Sequence, residues 1–212
     1  MNENRVKRNR MLGQRIIKGL ESRNMEGHYA EGKEEALKKA LELIPEGSTI
    51  GWGGSMSVQE IGLLDAVCSG NYTVYNRDVC KTPEEKRAME LAAIDSDYYL
   101  VSSNAITEDG VLVNLDGFAN RVASIAWGPR NVLMIVGMNK VVKDVDAAVS
   151  RVRSEAAPIN AQRFGLQTPC SKNGACASCK STDCICCEML ITRFSKIPKR
   201  IKVILVNDEL GF

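Results

Sequence analysis

The spacing of apolar residues along the chain predicts two amphipathic helices near its start. Apolar positions from Val6 to Leu20 recur with helical spacing among basic residues, and the stretch from Asn24 to Gly27 would end that helix. A second helix is predicted from Gly32 to Ile44, because one of its faces is apolar and Pro45 stops the pattern.

Short apolar runs then alternate with further helical patterns. The predicted strands cover residues 48–52, 72–75, 98–102, 132–136 and 201–206, and four or five of these runs are expected to be buried. Helices are predicted from Val58 to Val67, over 83–94 behind a capping box, and over 144–156, where Pro158 interrupts the pattern. Residues 105–107 and 111–115 flank a hairpin-type turn. This order predicts an α/β fold: a mostly parallel sheet flanked by helices, plus an antiparallel hairpin.

Length and charge balance narrow the class of protein. A chain of 212 residues is long enough for one α/β domain with appendages, and 44% hydrophobic with 25% charged residues is typical of folded proteins. The 28 basic residues nearly balance the 26 acidic ones, which argues against nucleic acid as the main partner. The sequence has no export signal and no run of about 18 apolar residues, so we expect a soluble cytoplasmic protein without a membrane partner.

A cysteine-rich segment is the strongest chemical signal, because six of the eight cysteines lie between Cys170 and Cys187. In a reducing compartment, clustered thiols indicate metal ligands or redox groups rather than disulfides. Cys176 and Cys179 form a CxxC pair, whose spacing suits Zn²⁺ or an iron–sulfur cluster. The segment is poor in large apolar residues, so a bound metal would have to order it.

A glycine-rich turn, from Gly51 to Ser55, lies between a predicted strand and a predicted helix. Backbone N–H groups at such a turn can bind an anion, which makes Gly53, Gly54 and Ser55 candidate ligand residues. The alternative is a tight turn in which Ser55 caps the helix. Glu60, one turn further on, is a candidate base or nucleophile, with a solvated glutamate as the alternative.

Polar residues are unusually dense between positions 104 and 121, on short strands and turns where binding groups often collect. The candidates there are Asn104, Thr107, Asp109, Asn114, Asp116, Asn120 and Arg121. Arg121 would clamp a carboxylate or phosphate, and we expect its charge to converge with the amides of Gly53 to Ser55 on one anion. The asparagines would add neutral hydrogen bonds, and Asp109 is a second candidate base. The alternative for the Asn and Asp residues is turn chemistry. Lys140 is a further ligand-binding candidate, with a solvated lysine as the alternative.

Several short motifs together resemble one family. They are Gly53-Gly54-Ser55, Ser103 to Gly110, Val113 to Gly117, Asn120-Arg121, Gly128-Pro129, Gly137 to Lys140, Arg151 to Arg153, Ala156 to Asn160, Pro169-Cys170 and Arg200-Ile201. Through them the chain resembles the LUD-domain family, whose namesake is the lactate-utilisation protein C, over residues 30–212. The pairs Trp52-Gly53 and Phe118-Ala119 depart from the glycine-rich pattern expected in the two ligand loops.

The resemblance implies a fold of the NagB/RpiA/CoA-transferase type, in which the glycine loop binds a sugar phosphate or CoA. Residues 1–30 would form an N-terminal helical extension and residues 31–212 the LUD domain, with a cysteine-rich insert at about 168–190. The resemblance also implies a four-cysteine metal site, with Cys184 and Cys187 as additional thiols. The four implied ligands are Cys170, Cys176, Cys179 and Cys186.

The first functional hypothesis is a LUD-domain protein of lactate-type carboxylate utilisation that binds a small anionic metabolite and carries the four-cysteine site. The metal would be a [4Fe–4S] cluster or Zn²⁺, and the redox setting of the family favours the cluster slightly. Iron–sulfur redox subunits and further copies of the chain are the expected protein partners. The second hypothesis is an isomerase or CoA-transferase-like enzyme that uses Glu60 or Asp109 and a structural zinc. The third is a non-catalytic subunit that docks an iron–sulfur partner.

Overall fold

The main sheet of the protein has six parallel strands, as seen in a computed structural model that describes residues 2–212. With strands numbered along the chain, it contains β1 Glu26–Ala30, β2 Thr49–Trp52, β3 Thr73–Tyr75, β4 Tyr98–Val101, β7 Asn131–Gly137 and β10 Ile201–Val206. Their order across the sheet is β1-β10-β7-β4-β2-β3, and every neighbouring pair is parallel. The predicted mostly parallel α/β fold is confirmed.

A second, smaller sheet contains the predicted hairpin. Its strands are β5 Ala105–Thr107, β6 Leu112–Asp116, β8 Val141–Val142 and β9 Glu188–Thr192, in the order β8-β5-β6-β9. β5 and β6 pair antiparallel, with Ala105 opposite Val113, and β9 extends the sheet by pairing antiparallel with β6. The small sheet therefore joins the hairpin to the end of the cysteine-rich segment.

Helices cover both faces of the main sheet. They are α1 Glu3–Ser22, α2 Lys33–Leu43, α3 Met56–Glu60, α4 Leu63–Ser69, α5 Pro83–Ile94, α6 Asn120–Ala126, α7 Val145–Arg151, α8 Ala157–Arg163 and α9 Pro169–Asn173. The capping box of α5 is present as predicted, with Thr82 and Glu85 bonded reciprocally. No helix among residues 2–212 is both long and apolar enough to span a bilayer.

The strands of the main sheet divide the core into two layers. Alternate residues of β7 face opposite ways: Met134 packs in the layer beneath α1, and Ile135 packs in the layer beneath α2. Ile16 and Leu20 of α1 are fully buried in the first of these layers. The sheet is thus covered on both faces, which is the usual condition of an all-parallel sheet.

The first strand is absent from the sequence predictions, which assign residues 1–30 to a helical extension. In the structure, Glu26–Ala30 is an edge strand that pairs with β10, and only Ala30 within it is buried. A half-exposed edge strand needs no alternating apolar pattern, so the sequence carries little local signal for it. The preceding helix, α1, packs against the core through its apolar face.

One predicted helix is broken in the structure, and another continues past its predicted end. The helix after Ser55 breaks at Gly62, whose φ of +76° separates α3 from α4. The predicted interruption at Pro158 is wrong, because α7 continues through a π-turn at Val152–Ala156 directly into α8. Pro158 lies in the first turn of α8. The wider π-turn accommodates a residue that has no N–H to donate.

Candidate functional site

The candidate ligand loops lie at the carboxyl edge of the main sheet, beside β2 and β4. β3 lies on one side of β2 and β4 on the other, so the strand order reverses between β2 and β4. In open parallel sheets, the crevice at such a reversal is the usual place for a ligand. The glycine loop leaves β2 here, and the segment that contains Asn104 leaves β4.

Gly53 is covered by a candidate anion-binding side chain. A Cβ placed on Gly53 would lie 2.9 Å from Cγ of Arg121 and 3.1 Å from the hydroxyl of Tyr99, so a larger residue does not fit. The N–H of Gly53 donates to the carbonyl of Leu100, which fixes the loop against β4. Ser55 caps α3 by accepting from the N–H of Val58. The structure therefore brings Arg121 to the glycine loop and gives Ser55 a capping contact.

Arg121 is held in place by neutral acceptors. Its Nη2 donates to Oδ1 of Asn104 at 2.7 Å and to the carbonyl of Leu115 at 2.6 Å. The Asp116 carboxylate is 3.9 Å from Nε of Arg121, and it accepts the N–H groups of Arg121 and Val122 at the start of α6. Burial lowers the pKa of Arg121, although the charge of Asp116 opposes this shift. Asn104 and Asp116 thus position Arg121.

Two further arginines approach the same loop, and sequence reasoning missed both. A Cβ placed on Gly54 would lie 3.2 Å from Nη2 of Arg77 and 3.7 Å from Nη2 of Arg163. Arg77 belongs to a short 3₁₀ turn after β3, and Arg163 is the last residue of α8. Only the topology brings them together, so no local pattern could have indicated either of them.

Lys140 lies buried just beyond the end of β7, beside α3 and the end of β4. Its Nζ donates to Oγ of Ser57 at 2.9 Å and to Oγ of Ser102 at 3.0 Å. Burial, with the charges of Arg151 and Arg121, lowers the pKa of Lys140 to about 7. A strongly perturbed lysine beside a sheet crevice is a candidate functional group. A solvated lysine, the alternative raised from the sequence, does not describe this side chain.

Glu60 is a neighbour of this lysine. Its carboxylate accepts the N–H of Gly211 at 3.2 and 3.3 Å, and its charge acts on Lys140 in the direction that raises the pKa of the lysine. The segment around Gly211 covers the lysine, since a Cβ on Gly211 would lie 2.9 Å from Oγ of Ser57 and 3.3 Å from Nζ of Lys140.

The hairpin candidates Thr107 and Asp109 have a different set of neighbours. The Thr107 hydroxyl donates to the Asp109 carboxylate and accepts the N–H of Val111, which are turn contacts. Arg23, just past the end of α1, donates to both the carboxylate and the carbonyl of Asp109. The hydrogen bond from Thr107 and the charge of Arg23 lower the pKa of Asp109. These contacts tie the hairpin tip to α1.

The remaining asparagine candidates differ in how they are satisfied. Nδ2 of Asn120 donates to Oε1 of Glu90 at 2.8 Å, and the same oxygen accepts from Nη1 of Arg77 at 2.9 Å. Asn114, on β6, is fully buried, and neither its Nδ2 nor its Oδ1 has a hydrogen-bond partner among residues 2–212. A buried, unpartnered amide is rare in native proteins and is commonly satisfied by water or a ligand.

The cysteine-rich segment forms a second candidate site, beside the small sheet. A cavity of about 350 Å³ is lined by five cysteines: Cys170, Cys176, Cys179, Cys186 and Cys187. The sixth thiol, that of Cys184, lies 3.0 Å from the thiol of Cys186. All four thiols that the family resemblance implies as ligands therefore face one cavity, together with one of the two additional thiols.

The donor chemistry of this cavity suits a thiolate-bound metal, because cysteine sulfur is the preferred ligand of structural zinc and of iron–sulfur clusters. Across residues 2–212, however, no three His, Cys, Asp or Glu side chains are arranged to hold one ion. The cysteines that the structure describes are free thiols. The cavity thus supplies the right atoms without a preassembled ligand set.

Comparison with known proteins identifies the family. The LUD domain profile matches residues 13–206, so the chain belongs to the LUD-domain family. The match includes the second half of α1 and all of β1. A crystal structure of a DUF162 family protein from Deinococcus radiodurans superposes with a TM-score of 0.54 at 13% identity, covering 93% of this chain and 98% of the other. At that identity the likeness shows the fold alone. No curated protein matches the chain.

Proposed function

We propose that the protein binds a small anionic metabolite at the loop Gly53–Ser55, as a LUD-domain protein of lactate-type carboxylate utilisation. The ligand is a hydroxy or keto acid, or its phosphate or CoA derivative. One observation carries the proposal: the side chain of Arg121 covers Gly53, and the guanidinium groups of Arg77 and Arg163 border Gly54, at the carboxyl edge of the sheet. Arginine is the side chain best suited to bidentate binding of carboxylate and phosphate.

The local charge supports an anionic ligand. Among residues 2–212, Glu90 is the only carboxylate within hydrogen-bond distance of any of these three guanidinium groups. The pKa of Arg163 is lowered by burial and by the charge of Arg77. Cations held close together destabilise one another, and a bound anion would relieve that repulsion.

In this proposal the other polar groups orient the ligand. Arg121 binds its carboxylate, because this guanidinium is positioned by the neutral acceptor Asn104 and remains charged. Lys140 donates a proton to the ligand or binds it as a cation, because its pKa of about 7 leaves both protonation states populated near neutral pH. Asn114 offers the unpartnered amide, and Asn120 holds Glu90 against Arg77.

The metal is part of the same proposal. Cys170, Cys176, Cys179 and Cys186 would hold a [4Fe–4S] cluster or Zn²⁺; a cluster would transfer one electron at a time, whereas zinc would hold the segment together. The proposed setting is the cytoplasm, with iron–sulfur redox subunits and further copies of this chain as partners. Metal analysis of anaerobically purified protein, with its visible absorption, distinguishes the two metals: broad absorption with four irons, or no colour with one zinc.

A second candidate function is supported by the position of Glu60 beside Lys140. An isomerase or CoA-transferase-like enzyme would use this carboxylate as a base or nucleophile, with a structural zinc in the cysteine-rich segment. Asp109 is the other candidate carboxylate, and its contacts are with Thr107 and Arg23. Incubation with a panel of acyl-CoAs, followed by intact-mass analysis of wild type and Glu60→Gln, tests this function through a covalent adduct.

The binding proposal is tested by Arg121→Ala. We expect the variant to lose on the order of 2 to 5 kcal/mol of affinity for the ligand, because a charge-assisted, positioned guanidinium is removed. Titration calorimetry with L-lactate, pyruvate, their phosphorylated analogues and acyl-CoAs gives the measurement.

Arg87→Gln, which changes an exposed arginine on α5, is the matched control. Arg121→Lys separates loss of charge from loss of the planar group. Unchanged affinity in Arg121→Ala for every compound that the wild type binds would remove Arg121 from the site.

A further inference from the structure

The space above Gly54 is bordered by two cations that come from distant parts of the chain. Nη2 of Arg77 and Nη2 of Arg163 lie 3.2 and 3.7 Å from the position that a Cβ on Gly54 would occupy. Both groups can therefore reach a single ligand atom or group placed there. Gly54 itself lacks the side chain that would fill this space, so its backbone is open to a ligand.

The two arginines have donors to spare. Arg77 uses Nη1 to bind Glu90, while its Nε is buried and has no hydrogen-bond partner in residues 2–212. Within that same described part of the chain, Arg163 forms no ion pair, and its guanidinium stacks on the ring of the adjacent Phe164 at 4.3 Å. Stacking leaves the N–H groups at the edge of the guanidinium plane available to a ligand.

We propose that Arg77 and Arg163 form a phosphate subsite above Gly54, separate from the carboxylate position at Arg121. This inference deepens the proposed function and rests on it: the ligand is a phosphorylated hydroxy or keto acid rather than a simple monocarboxylate. Near neutral pH a phosphate monoester carries up to two negative charges and has three oxygens that accept hydrogen bonds. It can therefore neutralise Arg163 and accept from the free donors of Arg77 at the same time, while Arg77 keeps its ion pair with Glu90.

The spacing of the two positions fits one small molecule. The Arg121 side chain lies over Gly53 and the arginine pair borders Gly54, so the two positions belong to consecutive residues of one loop. A three-carbon acid with a phosphate at one end is long enough to contact both residues. The carboxylate end would then face Arg121 and Asn104, on the side of the loop nearer β4.

The test uses a matched pair of probes, D-glycerate and 3-phosphoglycerate, which differ only in the phosphate, together with inorganic phosphate. Binding of each to the full chain is measured by calorimetry in about 0.15 M salt, which screens non-specific attraction. The variants are Arg163→Gln, Arg77→Gln and the control Arg87→Gln. Arg163 is an exposed residue without an ion pair in the described chain, so its substitution should not disturb folding.

We expect wild type and Arg87→Gln to bind 3-phosphoglycerate at least tenfold more tightly than glycerate, and to bind inorganic phosphate. Arg163→Gln should lose most of that tenfold advantage and weaken binding of inorganic phosphate by a similar factor, whereas its affinity for glycerate should fall far less. Equal affinity of the wild type for the two acids, no binding of inorganic phosphate, or phosphate binding that Arg163→Gln leaves unchanged would each overturn the subsite. Loss of glycerate binding in Arg121→Ala tests the proposed function separately, so the two ideas fail independently.

Discussion

The two candidate sites are built in opposite ways. At the carboxyl edge of the main sheet, Ser57, Ser102 and Lys140 are buried, and Lys140 donates a hydrogen bond to each of the two serines. In the cysteine-rich segment, no residue from 169 to 190, all of which the structure describes, is buried. The first site is held by the core of the domain, and the second has almost no core of its own.

The two sites therefore differ in whether a ligand is needed to order their side chains. Hydrogen-bonded side chains on rigid strand ends keep their positions without a ligand, which is the usual basis of a preorganised binding site. A segment with little buried apolar surface must gain its order from another source, and metal–thiolate bonds are a common one. We therefore expect the loss of metal to affect the cysteine-rich segment far more than the main sheet.

The two regions nevertheless touch, at β6 and at α8. The N–H of Cys187 donates to the carbonyl of Asp116, whose carboxylate caps α6 beside Arg121. Gly117 packs against the backbone of Ile185, because a Cβ on Gly117 would lie 3.1 Å from its Cα. A second contact runs through α8, where Gln162, next to Arg163, donates to the carbonyl of Ser171. Disorder in the cysteine-rich segment could therefore reach the candidate anion site through β6 or through α8.

The largest expected effect comes from removing the CxxC pair. Cys176→Ser with Cys179→Ser should release the metal and lower hydrogen-exchange protection across residues 168–190 by at least tenfold, since neither bonds to a metal nor a core would then order that segment. Protection in β4, β7 and β10 should change little. Cys68→Ser, at an exposed cysteine on α4, is the control. A double variant that contains no metal yet keeps wild-type protection across residues 168–190 would refute the metal site.

The same contrast explains what the sequence could predict. β2, β4, β7 and β10 are recognisable because each is a buried apolar run, and Arg121 and Lys140 stand out within the family motifs. β1 is a half-exposed edge strand without an apolar pattern, and the short apolar run of β9, from Met189 to Ile191, is partly exposed at the edge of the small sheet, so neither strand is predicted. Arg77 and Arg163 are single charged residues whose role depends on the fold, and only the three-dimensional arrangement places them beside Gly54.

A medium effect is expected from Lys140→Met, which probes how firmly the sheet edge holds a buried cation. The folded chain holds the Lys140 pKa near 7, against an ordinary value of 10.5, so between these pH values the unfolded chain binds the additional proton. Stability conferred by the wild-type lysine therefore rises with pH across this window and falls as pH drops towards 7. At pH 6.5 the free energy of unfolding of the methionine variant should exceed that of the wild type by about 2 kcal/mol. This difference already subtracts about 1 to 2 kcal/mol for the hydrogen bonds that the variant loses.

Urea unfolding at pH 6.5 and pH 9.5 measures this difference. The advantage of Lys140→Met over wild type should shrink at the higher pH, because the wild-type lysine is then neutral in the folded state. Lys143→Met, which changes an exposed lysine three residues away, should show no such pH dependence. A methionine variant that is less stable than wild type at both pH values would mean that hydrogen bonding of Lys140 outweighs the cost of burying its charge.

The smallest expected effect concerns Asn114, on β6 of the small sheet. Its buried amide has no partner in the described chain, and an unsatisfied buried polar group costs about 1 to 3 kcal/mol. Asn114→Leu, which replaces the amide with an apolar side chain of similar size, should raise the free energy of unfolding by about 1 kcal/mol, as measured by urea titration.

Asn104→Leu is the contrasting variant: Oδ1 of Asn104 accepts from Arg121 and from the N–H of Leu115, so this change should destabilise the fold. If Asn114 contacts the ligand, the leucine variant should gain stability and lose affinity for the metabolite together. A leucine variant that is destabilised would indicate that a bound water or another group already satisfies the amide.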